Sequence, residues 1–129
     1  MVHDDNDPVT KILFVDDDPE VLRLIVRRMT APRSQWDVAI ALGGQRGLEE
    51  LQRTRFDVVV TDLEMPGIDG RKILEAARRC SPRALRVVMT GNPGLAEGCE
   101  AQLIISKVDL HDLPSTLALA LAESRTDSR

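Results

Sequence analysis

The sequence predicts an α/β fold, a five-stranded parallel sheet doubly wound with helices on both faces. Three observations lead there. Short apolar runs rich in β-branched residues alternate with segments of helical periodicity. The runs are continuously apolar, as strands buried on both faces are. Polar residues stand where those runs end, at Asp16-Asp17-Asp18, Asp62, Thr90 and Lys107, and open parallel sheets bind ligands at the carboxyl ends of their strands.

The first strand is KILFV, residues 11–15, an apolar run bounded by charge. Pro19 opens a helix on PEVLRLIVRRMT, where Val21, Leu22, Ile25, Val26 and Met29 recur at helical spacing and Asp18 stands at the cap. WDVAIA, residues 36–41, is the second strand, and Gly43-Gly44 turn it into a modest helix on QRGLEELQRT. The third strand is the valine run of FDVVVTD. After MPGIDG, residues 71–80 carry Ile73, Leu74 and Ala77 on one helical face, and Pro82 stops them. LRVVMT, Leu85–Thr90, is the fourth strand, and QLIIS, residues 102–106, is the fifth. Between them GNPGLAEGCEA holds three glycines and one proline, so any helix there is short and poor. The last helix covers about residues 112 to 123, with Leu113, Leu117 and Leu121 four apart.

A chain of 129 residues is one domain by ordinary domain size. That domain is expected over residues 10–123, between flexible polar ends at 1–9 and 124–129. Hydrophobic residues at 43% supply a core, and aromatics at 2% require that core to be aliphatic. A net charge of −4 speaks against nucleic acid or an anionic membrane as partner. Cys80 and Cys99 lack metal or redox spacing and read as reduced thiols. His3 and His111 are isolated, and the acidic start MVHDDNDPVT is unlike a secretory leader. The longest apolar run, residues 117–122, falls far short of the ~20 residues that span a bilayer. The expectation is a soluble, cytoplasmic protein.

Strand two ends in Ala41-Leu42, with nothing polar, so the chemistry collects around the other strand tips. Carboxylates gathered at one place repel, by about 4 kcal/mol per pair at ~4 Å and an effective dielectric of ~20. Either protons stay on or a cation sits among them. Oxygen ligands with room for water suit Mg²⁺. A lysine and a hydroxyl facing that cation are what the remaining oxygens of a phosphoryl group need. The inferred chemistry is Mg²⁺-dependent phosphoryl transfer to a carboxylate.

The pieces ILFVDDDP, DVVVTDLEMPGIDG, VVMTG and ISK, in that order, resemble the receiver domain of bacterial two-component response regulators over about residues 11–122. The spacings from Asp17 to Asp62, Asp62 to Thr90 and Thr90 to Lys107 are 45, 28 and 17 residues. The chain resembles more loosely the receivers joined to HD-type output domains, through Trp36-Asp37 before and into strand two. The resemblance implies a flavodoxin-like receiver fold with strand order 2-1-3-4-5. It implies Asp62 as the acceptor of a phosphoryl group from a sensor histidine kinase or histidine phosphotransfer protein. Mg²⁺ or Mn²⁺ would be held directly by Asp17 and Asp62, through water by Asp16, and by the backbone carbonyl of Glu64. Thr90 would bond a phosphate oxygen and Lys107 would bridge to Asp62. Glu64, Gly91 and Asn92 occupy positions that tune dephosphorylation. Such a domain is a signalling phosphoacceptor that acts only on its own phosphorylation, a monomer or weak dimer passing its state to a downstream protein.

The chain departs from the family pattern at three places. Val108 follows the lysine where proline is usual, so a trans peptide is expected, since a non-proline cis bond costs ~2.5–4 kcal/mol. Ile104 occupies the position of the aromatic switch residue. The fourth helix is shortened. A stand-alone receiver is expected, with no output domain after Glu123. Two alternatives stand beside it. A phosphorylation-independent interaction module (a pseudo-receiver) would use the altered strand-five region, with Leu119 about 200° round the last helix from Leu117. A phosphohydrolase of the haloacid dehalogenase type would use Asp16 and Asp18, Thr90 and Lys107, leaving Asp62 without a role. Asp69 reads as a turn or cap residue, Met65 and Pro66 as loop packing, and Arg23, Arg27 and Arg28 as a solvated face or kinase contact.

Overall fold

The computed structural model describes residues 9–30, 35–108 and 110–127. The elements follow the expected alternation: β1 Thr10–Asp16, α1 Pro19–Met29, β2 Trp36–Leu42, α2 Gly44–Arg53, β3 Val58–Asp62, α3 Gly70–Cys80, β4 Leu85–Thr90, β5 Leu103–Ser106 and α4 Leu113–Asp127. The five strands are parallel, in the order β2-β1-β3-β4-β5. β3 lies at the centre, and all five of its residues are buried.

Side chains alternate across the sheet and split the core in two. Ile12, Phe14, Val58, Val60, Val87 and Met89 pack with Leu22 and Ile25 of α1 and Leu113 and Leu117 of α4. Leu13, Val15 and Val59 point the other way, toward Leu51 of α2 and Ile73 and Ala77 of α3. Each such side chain taken from water contributes about 1.5–3 kcal/mol, so the apolar strands fix their own depth and hence the height of their tips.

Local signals set the helix starts. The Asp18 carboxylate accepts the Glu20 amide at 2.9 Å and caps α1, with Pro19 in its first turn. Asp69 accepts the Lys72 amide at 3.2 Å and caps α3, which makes it the cap residue that its place before Gly70 suggests.

The β4–β5 connection carries only a 3-10 turn, Pro93–Ala96, as short as its glycines and proline lead one to expect. α4 runs to Asp127, beyond the expected end at 123: nothing in ESRTD breaks a helix, although its polarity reads as a frayed tail. Gln102 precedes β5 rather than opening it. Of the expected N-terminal tail 1–9, residues 1–8 lie outside the described residues, as do 128–129 at the other end. No described helix is long and apolar enough to cross a membrane.

Candidate functional site

The strand tips bring Asp16, Asp62, Thr90 and Lys107 to one end of the sheet. Asp16, the last residue of β1, is 0% exposed, and Asp62 and Thr90, closing β3 and β4, are 7% and 4% exposed. Lys107 follows β5, and its amide donates to the Thr90 carbonyl at 2.9 Å, which holds its backbone beside the tip of β4. Its ammonium lies 2.9 Å from Asp16 Oδ2 and 3.2 Å from Asp62 Oδ2. No cis peptide occurs among the described residues. The trans bond expected before Val108 is therefore present, and the ammonium still reaches both carboxylates.

Asp16 is held from several sides. Its Oδ1 accepts the Asp18 amide at 2.9 Å, and its carbonyl accepts the Gly43 amide at 2.8 Å. Oδ2 is wholly buried and has the ion pair with Lys107 but no well-directed hydrogen bond. Asp17, in contrast, is exposed beside it. Carboxylate oxygens of Asp16, Asp17 and Asp62 lie within 4.8 Å of one another. An all-oxygen, anionic donor set with one buried oxygen short of a directed bond fits a hard divalent cation such as Mg²⁺ or Mn²⁺. Glu64, whose carbonyl is a further candidate ligand, is exposed in the β3–α3 loop.

Burial is the largest influence on Asp62 and raises its carboxyl above the usual 3.8. The charge of Asp16 adds to this, the charge and hydrogen bond of Lys107 oppose it, and Asp17 adds further. Lys107 feels burial most, which on its own lowers it. The hydrogen bond and charge of Asp16, with those of Asp62, outweigh that and leave the ammonium above its usual 10.5. An acid held above its unfolded value keeps its proton more tightly in the folded state. The fold therefore loses stability as pH rises from about 3.8 through the folded value, and the loss persists above it. Asp62→Asn, uncharged at any pH, is expected to melt above wild type at neutral pH, with the gap closing as pH falls toward 3.8. Thermal melts across that range test this, and a lower melting temperature at neutral pH reverses the sign.

Thr90 stands at the same edge, with its hydroxyl turned to Asn92. Oγ1 accepts the Asn92 amide at 3.1 Å and donates to the Asn92 carbonyl at 3.3 Å. Gly91 is exposed, with open space where a side chain would be. Ile104 pairs with Val88 in the sheet and is 43% exposed, and Val108 is 83% exposed.

Two glycines at helix starts, Gly44 and Gly70, also shape the site. A Cβ on Gly70 would collide with the Asp62 carbonyl oxygen and lie 2.7 Å from Leu63 Cα, and the Gly70 amide donates to the Leu63 carbonyl at 2.8 Å. A Cβ on Gly44 would collide with the Ile68 carbonyl. The signal, a glycine at the first position of each of two helices, was visible. Which backbone each would meet was not.

Comparison with known proteins bears on the fold and the family. The family model for the response regulator receiver domain matches residues 12–107. The chain is 32% identical over 123 residues to the transcriptional activator protein PfeR of Pseudomonas aeruginosa, covering 94% of this chain and 38% of that protein. It spans well under half the length of the curated relatives it matches. The CheY-like receiver domain protein of Methanospirillum hungatei superposes with a TM-score of 0.78 at 23% identity, over 93% of this chain and 99% of that one. Response regulator protein TrrA of Thermotoga maritima, solved in complex with Mg²⁺ and BeF, gives 0.75 at 22% identity, over 87% of this chain and 99% of that one. At these identities the structural likeness speaks for the fold, and the match of the family model covers most of the chain. The chain belongs to the response regulator receiver domain family of two-component systems.

Proposed function

We propose that this domain accepts a phosphoryl group on Asp62 and thereby switches or relays a signal. One observation carries the reading: at the tip of the central strand, a single lysine bridges a wholly buried aspartate and a nearly buried one. The donor is a phosphohistidine of a sensor kinase or phosphotransfer protein. An Asp62 oxygen attacks phosphorus, the O–P bond forms, and the P–N bond breaks with its electron pair returning to the imidazole. A carboxylate is a weak nucleophile, so position and charge must help it. β3 fixes the carboxylate, and Lys107 sets an ammonium beside the oxygens that gain charge. Asp16, Asp17, Asp62 and the Glu64 carbonyl would hold a divalent cation, which when bound supplies positive charge to the transferring group. Thr90 supplies a hydroxyl at this edge for a phosphate oxygen, once it turns from the Asn92 carbonyl. The downstream recipient is a second protein.

Incubation with acetyl phosphate and Mg²⁺ is expected to add one phosphate, mapped by mass spectrometry to Asp62 and absent from Asp62→Asn. A label on Asp16 would instead favour the hydrolase reading, which the complete burial of Asp16 disfavours. The same assay followed in time reads the lifetime of the acyl phosphate. Glu64 and Asn92, two residues beyond Asp62 and Thr90, are proposed to set it by governing access of water. An unchanged lifetime in Glu64→Gln removes Glu64 from that role.

A phosphorylation-independent interaction role has its own support in the apolar side chains left exposed at Ile104, Val108 and Leu119. Partner binding by Asp62→Asn equal to that of wild type, with and without phosphodonor, would establish that reading instead.

A further inference from the structure

The Thr90 hydroxyl is the first link in a chain of hydrogen bonds that leaves the site. Thr90 Oγ1 meets both the amide and the carbonyl of Asn92. The same Asn92 carbonyl accepts the Leu95 amide at 3.0 Å and so closes the 3-10 turn. The Leu95 carbonyl receives Arg71 Nη2 at 2.9 Å. Arg71 is the second residue of α3, directly after Gly70, whose backbone is pressed against the Asp62 carbonyl. The relay thus begins at one tip of the site and returns to the backbone beside another.

The segment it crosses is lightly anchored. Residues 91–101 bury Ala96 and tuck Cys99 and Ala101 against Leu74 and Val88, while most of the other side chains there are exposed. Arg86 Nε donates to the Glu100 carbonyl at 3.0 Å, and Arg78 pairs with the Glu100 carboxylate at 3.2 Å. Of these arginine tethers, Arg71 holds the turn that is hydrogen-bonded to Thr90. At the strand-five position Ile104 has no polar group with which to answer a movement of Thr90.

We propose that Arg71 is a positioning residue for Thr90, acting through the Pro93–Ala96 turn, so that α3 and the β4–β5 connection carry the response. The proposal rests on Asp62 being the phosphoryl acceptor. To bond a phosphate oxygen, the Thr90 hydroxyl has to turn its proton away from the Asn92 carbonyl, which weakens the first link and loosens the turn from its place against α3. Coupling of this kind is reciprocal. Cutting the Arg71 link therefore makes it easier for Thr90 to turn. One exposed hydrogen bond corresponds to roughly a two- to tenfold change in such an equilibrium.

The test compares wild type with Arg71→Ala, Arg71→Lys, Thr90→Val, Arg71→Ala/Thr90→Val and Arg78→Ala. Amide hydrogen exchange over residues 91–101, without phosphodonor, is expected to quicken roughly two- to tenfold in Arg71→Ala and in Thr90→Val. The double variant should exchange more slowly than the product of the single effects predicts, and Arg71→Lys, which keeps a donor, should stay near wild type. Titration with beryllofluoride and Mg²⁺, a phosphoryl mimic, should have a lower midpoint in Arg71→Ala. Arg78→Ala, which loosens the segment without touching Leu95, should leave that midpoint unchanged. Wild-type exchange in Arg71→Ala, strictly multiplicative effects, or an equal midpoint shift in Arg78→Ala would each overturn the relay. Failure of acetyl phosphate to label Asp62 overturns the acceptor reading instead, while the exchange comparison without donor still decides the hydrogen-bond relay.

Discussion

Lys107→Met is expected to destabilise the fold by about 3–5 kcal/mol at neutral pH, the usual consequence of removing one partner from a buried ion pair. Asp16 is 0% exposed, and Lys107 is the cation against its Oδ2. Without the ammonium, three carboxylates stand within 4.8 Å with no described side-chain cation between them. Methionine keeps the length of the aliphatic stem, so the loss reports charge rather than packing. Urea unfolding measures it, and a loss below about 1 kcal/mol, the level of an exposed pair, contradicts the buried-pair description. Mg²⁺ is expected to restore part of the stability, because a cation among the same oxygens replaces some of the missing charge. The ammonium is held above its usual 10.5, so its own contribution is complete below that pH and is lost only as pH climbs through the higher folded value. Across the neutral range the difference between wild type and variant should therefore be insensitive to lysine titration.

Gly70→Ala is expected to cost about 3 kcal/mol, the upper end of what overpacking costs, and to displace Asp62. The added Cβ would meet the Asp62 carbonyl, with Leu63 Cα at 2.7 Å and the Asp62 carbonyl carbon at 3.0 Å. All of these are backbone atoms, so no side-chain rotation relieves the contact, and either the tip of β3 or the start of α3 has to move. Alanine's better helix propensity, about 1 kcal/mol, works in the opposite direction and is too small to compensate. Gly91→Ala is the control. Its Cβ meets nothing within 4 Å, so its unfolding free energy should stay within about 0.5 kcal/mol of wild type. Equal stability of the two variants would show that α3 does not bear on the Asp62 backbone.

Much of the site was legible because it depends on residue type at places set by pattern. An apolar run ending in a carboxylate marks a strand tip, and parallel strands present their tips together. That reasoning located Asp16, Asp62, Thr90 and Lys107 without any geometry. Strand order came only with the family resemblance, since apolar runs such as ILFV and VVV carry nothing that says which neighbours which. The pairing of Lys107 with Asp16 as well as Asp62 was equally hidden. Spacing along the chain does not report the direction of a side chain, and Asp16 and Asp17 look alike until one is buried and the other exposed.

Arg71 shows the same limit from the surface. In sequence it is one more arginine on an exposed helix face. Its bond to the Leu95 carbonyl exists because a 3-10 turn, shorter than a helix, brings that carbonyl to the first turn of α3.

Residue pattern alone sets the alternation of strands and helices, the aliphatic core, the caps at Asp18 and Asp69, and the residues offered at the strand tips. Those follow from local propensity and from the period of burial, which act over a few residues. Tertiary structure alone decided which carboxylate lost its water to Lys107, which glycine had to admit a neighbouring backbone, and how the Thr90 hydroxyl was tied to α3. These are contacts between segments distant in the chain, and their energies are set by distance and burial, which no residue carries on its own.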